Sequence, residues 1–218
     1  MNEKKNGAGR RRPAPHRERK KEREYWRPGN MLYPIPAVLV SSADKEGRPN
    51  VMTVAWTGTI CSDPAMVYIS VRPERYSYHI IEESGEFVIN LTTAKLAKAV
   101  DYCGVKSGRD SDKFSECGLT AIPSRHVSAP SIAESPASIE CRVVKNVHLG
   151  SHDMMIAEVL GVSVDEKCID SAGRFALERT DPLVYCHGGY FELGSYIGHF
   201  GFSVRRKKQG RGPIIRRR

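Results

Sequence analysis

Between Asn50 and Leu91 the chain reads NVMTVAWTGTICSDPAMVYISVRPERYSYHIIEESGEFVINL, and this order of segments restricts the fold more than any other stretch. Val51–Ile60 is rich in β-branched residues and reads as a strand. Asp63-Pro64 breaks the chain, and Met66–Val71 follows as a second apolar run of strand length. Tyr76, Ile80 and Ile81 then recur at helical spacing, which predicts a short amphipathic helix over Tyr76–Glu83. Gly85 stands in the C′ position that ends such a helix, and Phe87–Leu91 returns to strand. Successive strands with no helix between them are antiparallel, so a doubly wound parallel sheet is excluded.

The flanking segments extend the pattern. Pro34 and Pro36 punctuate an apolar run, Ile35–Val40, which predicts a first strand. DKEGRPN (Asp44–Asn50) is turn chemistry and makes Val51–Ile60 the hairpin partner of that strand. Ala94–Tyr102 and Ser111–Cys117 read as two helical segments, and residues 120–135 as irregular chain with Pro123 and Pro130. Ala137–Leu149 and Met154–Val164 are long β-rich runs joined by GSHD, which predicts a hairpin. Leu183–Leu193 offers short strands around a Gly-Gly turn. There is no GxGxxG fingerprint and no internal repeat. The fold class predicted is mainly β with inserted helices, an antiparallel Greek-key barrel.

The net charge of +9 invites a nucleic-acid reading, but its distribution argues against a basic groove. Residues 1–30 hold 11 Lys/Arg against 4 Asp/Glu, and residues 205–218 hold 8 Lys/Arg and no acid. Residues 31–204 hold 15 basic and 21 acidic residues, so the excess positive charge sits at the two ends. Both ends are predicted to be disordered basic tails: charge, Pro and Gly leave them little to bury. Basic tails can still meet RNA, an anionic membrane or an acidic protein. No apolar run reaches the length of a membrane helix, and no apolar leader opens the chain. The six cysteines, Cys61, Cys103, Cys117, Cys141, Cys168 and Cys186, are scattered without a CxxC pair. That pattern predicts reduced thiols in a cytoplasmic protein.

Candidate site residues cluster at the helix Tyr76–Glu83. Arg75 and Ser77 stand at its start, where unpaired N–H groups and the helix dipole favour an anion. The competing reading makes Ser77 a cap and Arg75 a solvated side chain, and the residues alone leave the two even. Trp56 offers a flat aromatic surface nearby, although a strand Trp more often packs in a core. Lys113, beside Asp110 and Asp112, reads from its neighbours as a solvated ion pair, the usual state of a Lys at a helix end. His148 and His152 are spaced H-x3-H, but a strand–turn does not bring both rings to one face and no third ligand is evident, so no metal site is predicted. Cys61 and Cys103 fall near this region, where a buried Cys is more often inert filler than a redox thiol.

These residues resemble the flavin reductase-like, FMN-binding split-barrel family, and its flavoredoxin branch in particular. The resemblance runs from about Gly29 (PGNMLYPIPAVLVSS) to about Ser203 (PLVYCHGGYFELGSYIGHFGFS) and leaves only the ends outside. It implies a basic tail over residues 1–28, a split-barrel domain over 29–204 and a second tail over 205–218. It implies FMN as cofactor, with Ser77 and Arg75 on its phosphate, and Asn50, Thr53, Ala55 and Trp56 along the isoalloxazine ring. Lys113, with Lys106 as a second candidate, matches the Lys that approaches the flavin or its phosphate. His152 matches a His beside the flavin, and Tyr185 an aromatic position that is often Phe. No residue is implied as catalytic in its own right, because the flavin carries the chemistry. The expected partners are NAD(P)H or a redox protein, and a second copy in a homodimer with the flavin at or near the interface. The alternatives are an FMN electron carrier without its own NAD(P)H activity, an oxidase of the pyridoxamine-phosphate type, and a nucleic-acid-binding barrel that uses its basic tails.

Overall fold

The computed structural model describes residues 23–204, so the expectation of disordered tails at 1–22 and 205–218 lies outside the described residues. The chain divides between Met31 and Leu32. Residues 23–31 carry no helix or strand.

Within the main unit the apolar run after Pro34 divides into β1 (Ile35–Pro36) and β2 (Val38–Ala43). Then come β3 (Pro49–Val54), β4 (Thr57–Ser62), β5 (Ala65–Val71), α1 (Tyr76–Ser84) and β6 (Glu86–Asn90). Gly85 closes α1 in the left-handed region, at φ 69°. A 3-10 turn, Ala94–Leu96, leads into α2 (Ala97–Val105), and α3 (Lys113–Cys117) follows a loop. The irregular segment contains only the two-residue pair β7 (Ala121–Ile122) and β8 (Ser131–Ile132). The long hairpin is β9 (Ala137–His148) and β10 (Asp153–Val164). The short one is β11 (Leu183–Cys186) and β12 (Gly189–Glu192), turned by His187 and Gly188 at φ 46° and 85°.

Seven strands form one antiparallel sheet in the order β3-β2-β6-β9-β10-β5-β4. The expectation of one strand over Val51–Ile60 is corrected here. The run splits at Ala55–Trp56, and its halves lie on opposite edges of the sheet, β3 against β2 and β4 against β5. Val54 and Thr57 are three Cα steps apart, which limits their separation to about 11 Å. Two edges so tied force the sheet to curl, yet β3 and β4 do not pair with each other, and the result is a split barrel. Hydrogen bonds fix the crossing. Ser70 N–H donates to Trp56 O at 2.8 Å, Thr57 N–H to Ala55 O at 3.2 Å, and Thr57 Oγ1 to Tyr68 O at 2.6 Å.

β2 is buried from end to end, so both of its faces carry core. Val38 and Val40 point into one cluster with Met52, Val54, Ile69 and Phe87, where α1 adds Tyr78 and Ile81. Leu39 points the other way, into a cluster with Val51, Val100, Phe114 and Ile132 beneath α2 and α3. The alternation is the period-two geometry of a strand read on both sides.

Asn90, 0% exposed, ties the irregular segment to this wall. Its Nδ2 donates to Leu39 O and Ser41 Oγ, and its Oδ1 accepts from Ile132 N–H at 3.0 Å and Ser138 Oγ at 2.7 Å. Ser42 Oγ, by contrast, is buried without a partner among the described residues. Asn90→Ala strands several buried groups and is expected to cost about 3 kcal/mol, whereas Ser42→Ala removes an unpaired hydroxyl and is expected to be neutral or stabilising. Urea denaturation of the two variants measures the contrast, and equal losses would refute it.

Candidate functional site

Three helix ends converge beside β3. The start of α1, the end of α2 and the start of α3 surround a cavity of about 110 Å³ lined by Met52, Glu74, Arg75, Tyr76, Ser77, Cys103, Lys106, Ser107, Gly108 and Lys113. The first turn of α1 holds no acidic residue and no side chain caps it; Tyr78 N–H turns back to Arg75 O at 3.0 Å, which leaves the N–H groups ahead of it, at Tyr76 and Ser77, without a side-chain cap. Ser77 is 2% exposed, and its Oγ accepts a hydrogen bond from Asn50 Nδ2 at 2.6 Å. With that lone pair engaged, the hydroxyl proton is left for a ligand. Ser77 therefore does not cap α1. Arg75 is held too: its Nη1 donates to Gly104 O at 3.1 Å, an open carbonyl in the last turn of α2.

Lys113 is 4% exposed. Its Nζ donates to Lys106 O at 3.3 Å, and no carboxylate lies within ion-pair distance of it among the described residues. The expected pairing with Asp110 or Asp112 is absent, because Asp112 caps α3 by accepting from Ser115 N–H at 3.2 Å. Burial pushes the Lys113 pKa below the ordinary lysine value, and Arg75 adds to that lowering. Lys113 is also the first residue of α3, where the helix dipole disfavours a cation. An ammonium held in these surroundings favours an anion beside it.

Gly108 permits the closeness of the loop. A Cβ there would stand 2.0 Å from Asn50 Oδ1 and 2.9 Å from Tyr76 Cδ1. Tyr76, Gly108 and Lys113 also border a second cavity of about 430 Å³, together with Asn50, Arg48 and Arg109.

The residues singled out in the sequence fall into separate groups. Arg75, Ser77, Lys106 and Lys113 line the small cavity, and Asn50 buttresses Ser77. Thr53 spends its hydroxyl on Val100 O of α2 at 2.5 Å. Ala55 and Trp56 form the crossing between the sheet edges, and Trp56 is 41% exposed, so it is not a core residue. Its ring lies 5.8 Å from that of His152, at 34°. His152 takes Ser151 Oγ on Nδ1 at 2.9 Å, while His148 pairs with buried Asp153 at 2.8 Å. Tyr185 stands in the small sheet of β1, β11 and β12, between Tyr33 and Tyr190. The sequence reading missed Gly108, because SGRD is ordinary loop chemistry and only packing against Asn50 gives that glycine its role.

The fold and this pocket can be set against known proteins. Residues 31–194 match the model of the flavin reductase like domain. The chain belongs to the flavin reductase-like family. Among solved structures, flavoredoxin of Desulfovibrio vulgaris (Miyazaki F) superposes with a TM-score of 0.79 at 31% identity, over 84% of this chain and 100% of that one. Flavoredoxin from Methanosarcina acetivorans gives 0.76 at 25% identity over the same shares. An uncharacterized protein of Archaeoglobus fulgidus is 37% identical over 132 residues, 61% of this chain and 73% of that protein. Within the flavin reductase-like fold of this chain, no helix among the described residues is long and apolar enough to cross a membrane.

Lys113 supplies a test that needs no cofactor. Its folded-state pKa is depressed, so the unfolded chain binds that proton more tightly. The resulting penalty is fully present below the folded pKa and is relieved as pH rises through it towards 10.5. Lys113→Met is expected to raise the thermal midpoint of the anion-free protein, with a gain of about 1–3 kcal/mol. The wild type is expected to be stabilised by inorganic phosphate, and the variant is expected to lose that response. A variant that melts lower, or still responds fully to phosphate, would remove Lys113 from the anion site.

Proposed function

We propose that this chain binds FMN and works as a flavin-dependent oxidoreductase, with the FMN phosphate held at the start of α1. The observation that carries the reading is the buried Lys113 ammonium, without a carboxylate partner among the described residues, beside Arg75 and the Ser77 proton. A phosphate dianion satisfies all three groups and the open N–H groups of the helix. These donors fit a phosphate ester in charge, in hydrogen-bond polarity and in the size of the cavity.

The chemistry that FMN supplies when bound is hydride acceptance followed by onward electron transfer. The protein's part is to bind, orient and shield. In this proposal Arg75, Ser77, Lys106 and Lys113 anchor the phosphate, and Asn50 fixes the Ser77 hydroxyl. The outer edge of β3 has no neighbouring strand among the described residues, which leaves main-chain groups between Asn50 and Ala55 to meet the pyrimidine edge of the ring. Trp56 and His152, whose rings are tilted against each other, then border the ring. NAD(P)H or a redox protein serves as electron donor. A second copy of the chain covers apolar side chains that stay exposed, among them Leu193, Tyr196, Ile197 and Phe200.

Paired titrations with FMN and riboflavin test the anchor. Arg75→Ala combined with Ser77→Ala is expected to weaken FMN by about 2–4 kcal/mol and riboflavin by much less, because only FMN carries the phosphate. Equal losses would sink the phosphate assignment. The redox reading is tested by the absorption spectrum of the FMN-loaded protein under anaerobic NADH and NADPH. Bleaching with either nicotinamide supports an oxidoreductase with its own donor, and bound flavin that bleaches with neither supports an electron carrier. His152→Ala is expected to change the FMN affinity or reduction rate while leaving the melting temperature unchanged; wild-type values in both would make His152 a turn residue alone.

A further inference from the structure

Cys103 on α2 and Cys117 on α3 stand on either side of the loop that gives the cavity Lys106, Ser107 and Gly108. Their Sγ atoms are 3.9 Å apart. Cys103 is 1% exposed and itself lines the cavity, while Cys117 is half-buried, so a reagent meets the pair from the Cys117 side. A disulfide bond is ~2.05 Å long, so the sulfurs need to close by only about 2 Å. The other cysteines differ. Cys61 and Cys141 turn to the carbonyls of Asp63 and Ile139, and no sulfur contact joins Cys168 or Cys186 to another cysteine among the described residues.

We propose that Cys103 and Cys117 are a reversible disulfide site that closes the loop Lys106–Asp112 into a covalent ring and holds the anion cavity in its present shape. The oxidant class is a low-molecular-weight disulfide such as glutathione disulfide. Cys117 loses its proton and attacks one sulfur of the reagent; the reagent's S–S bond breaks and one thiol leaves, protonated by solvent. Cys103 then loses its proton and attacks the Cys117 sulfur of the mixed disulfide, which forms the internal bond and expels the second thiol. Two electrons pass from the pair to the reagent, and the two protons lost by the cysteines balance those taken by the released thiols. A small-molecule dithiol reverses both steps. Burial raises both thiol pKa values, that of Cys103 to about 12, and the neighbouring Lys113 ammonium offsets part of the rise. Ring closure is therefore slow at neutral pH and quickens as the solution becomes alkaline. The site stands on the thiol geometry and holds whether or not the cavity takes FMN.

The test treats the full-length folded protein with glutathione disulfide at neutral and at mildly alkaline pH, followed by acid quench, thiol alkylation and peptide mapping. The expected product has lost two hydrogens, carries no glutathione and links the Cys103 and Cys117 peptides. It forms faster at the higher pH and reverts with dithiothreitol. Cys117→Ser should give no internal disulfide. Trypsin reads the loop: cleavage after Lys106 and Arg109 should slow about tenfold on oxidation and recover on reduction, since cross-linking suppresses local opening. Free thiols persisting at both positions, or a linkage to a different cysteine, would overturn the disulfide site. Unchanged cleavage of the oxidised protein would overturn the restraint on the loop.

Discussion

Two residues, Ala55 and Trp56, join the opposite edges of a seven-stranded sheet, and most of the architecture follows from that tie. A twisted antiparallel sheet of this width can remain open. Here its first and last strands are consecutive in the chain and cannot move apart. The curl encloses one core cluster, while the outer face of the same wall, at β2 and β3, becomes the floor for α2 and α3. The tie also fixes Trp56 at the seam, beside the turn of the long hairpin that carries His152.

The cavity next to β3 inverts the usual economy of charge in a folded chain. Elsewhere it is the covered carboxylates that find a basic partner, and that partner stays exposed: Glu86 meets Arg142, Asp170 meets Arg174, and Glu140 meets the His126 ring. At the convergence of α1, α2 and α3 an acid, Glu74, lines the cavity but makes no ion pair with Arg75, Lys106 or Lys113 among the described residues. Asp112 faces its own helix, and the first turn of α1 holds none. Arg75 instead uses a carbonyl at the end of α2, which aligns the guanidinium without neutralising it. Asn50 does the same for Ser77, engaging one side of the hydroxyl and leaving the proton.

How much of this was legible in the sequence depends on the range of the signal. The α1 helix, its Gly85 terminus and both hairpin turns are local features, and their residues announced them. The break at Ala55–Trp56 was hidden because both halves of the run favour strand and no Gly or Pro marks the change of edge. Arg75 and Ser77 were visible as the start of a helix, but choosing between cap and ligand group required Asn50, which lies 27 residues away. The pairing of Cys103 with Cys117 was equally hidden, since α2, a loop and α3 must fold back before the sulfurs meet. Asn90 looked like an ordinary strand end, and only its burial makes it a hub.

The cavity's small size has a consequence for occupancy. In the proposed reading, a cavity of about 110 Å³ lined by Arg75, Ser77, Lys106 and Lys113 as well as Glu74 takes the phosphate group alone and nothing attached to it. Free orthophosphate therefore competes for the same anchor as any phosphate ester. In a phosphate-rich medium the fraction of protein carrying the larger ligand follows the ratio of two concentrations. Discrimination in favour of that ligand falls to the seam between the sheet edges, where the aromatic pair stands.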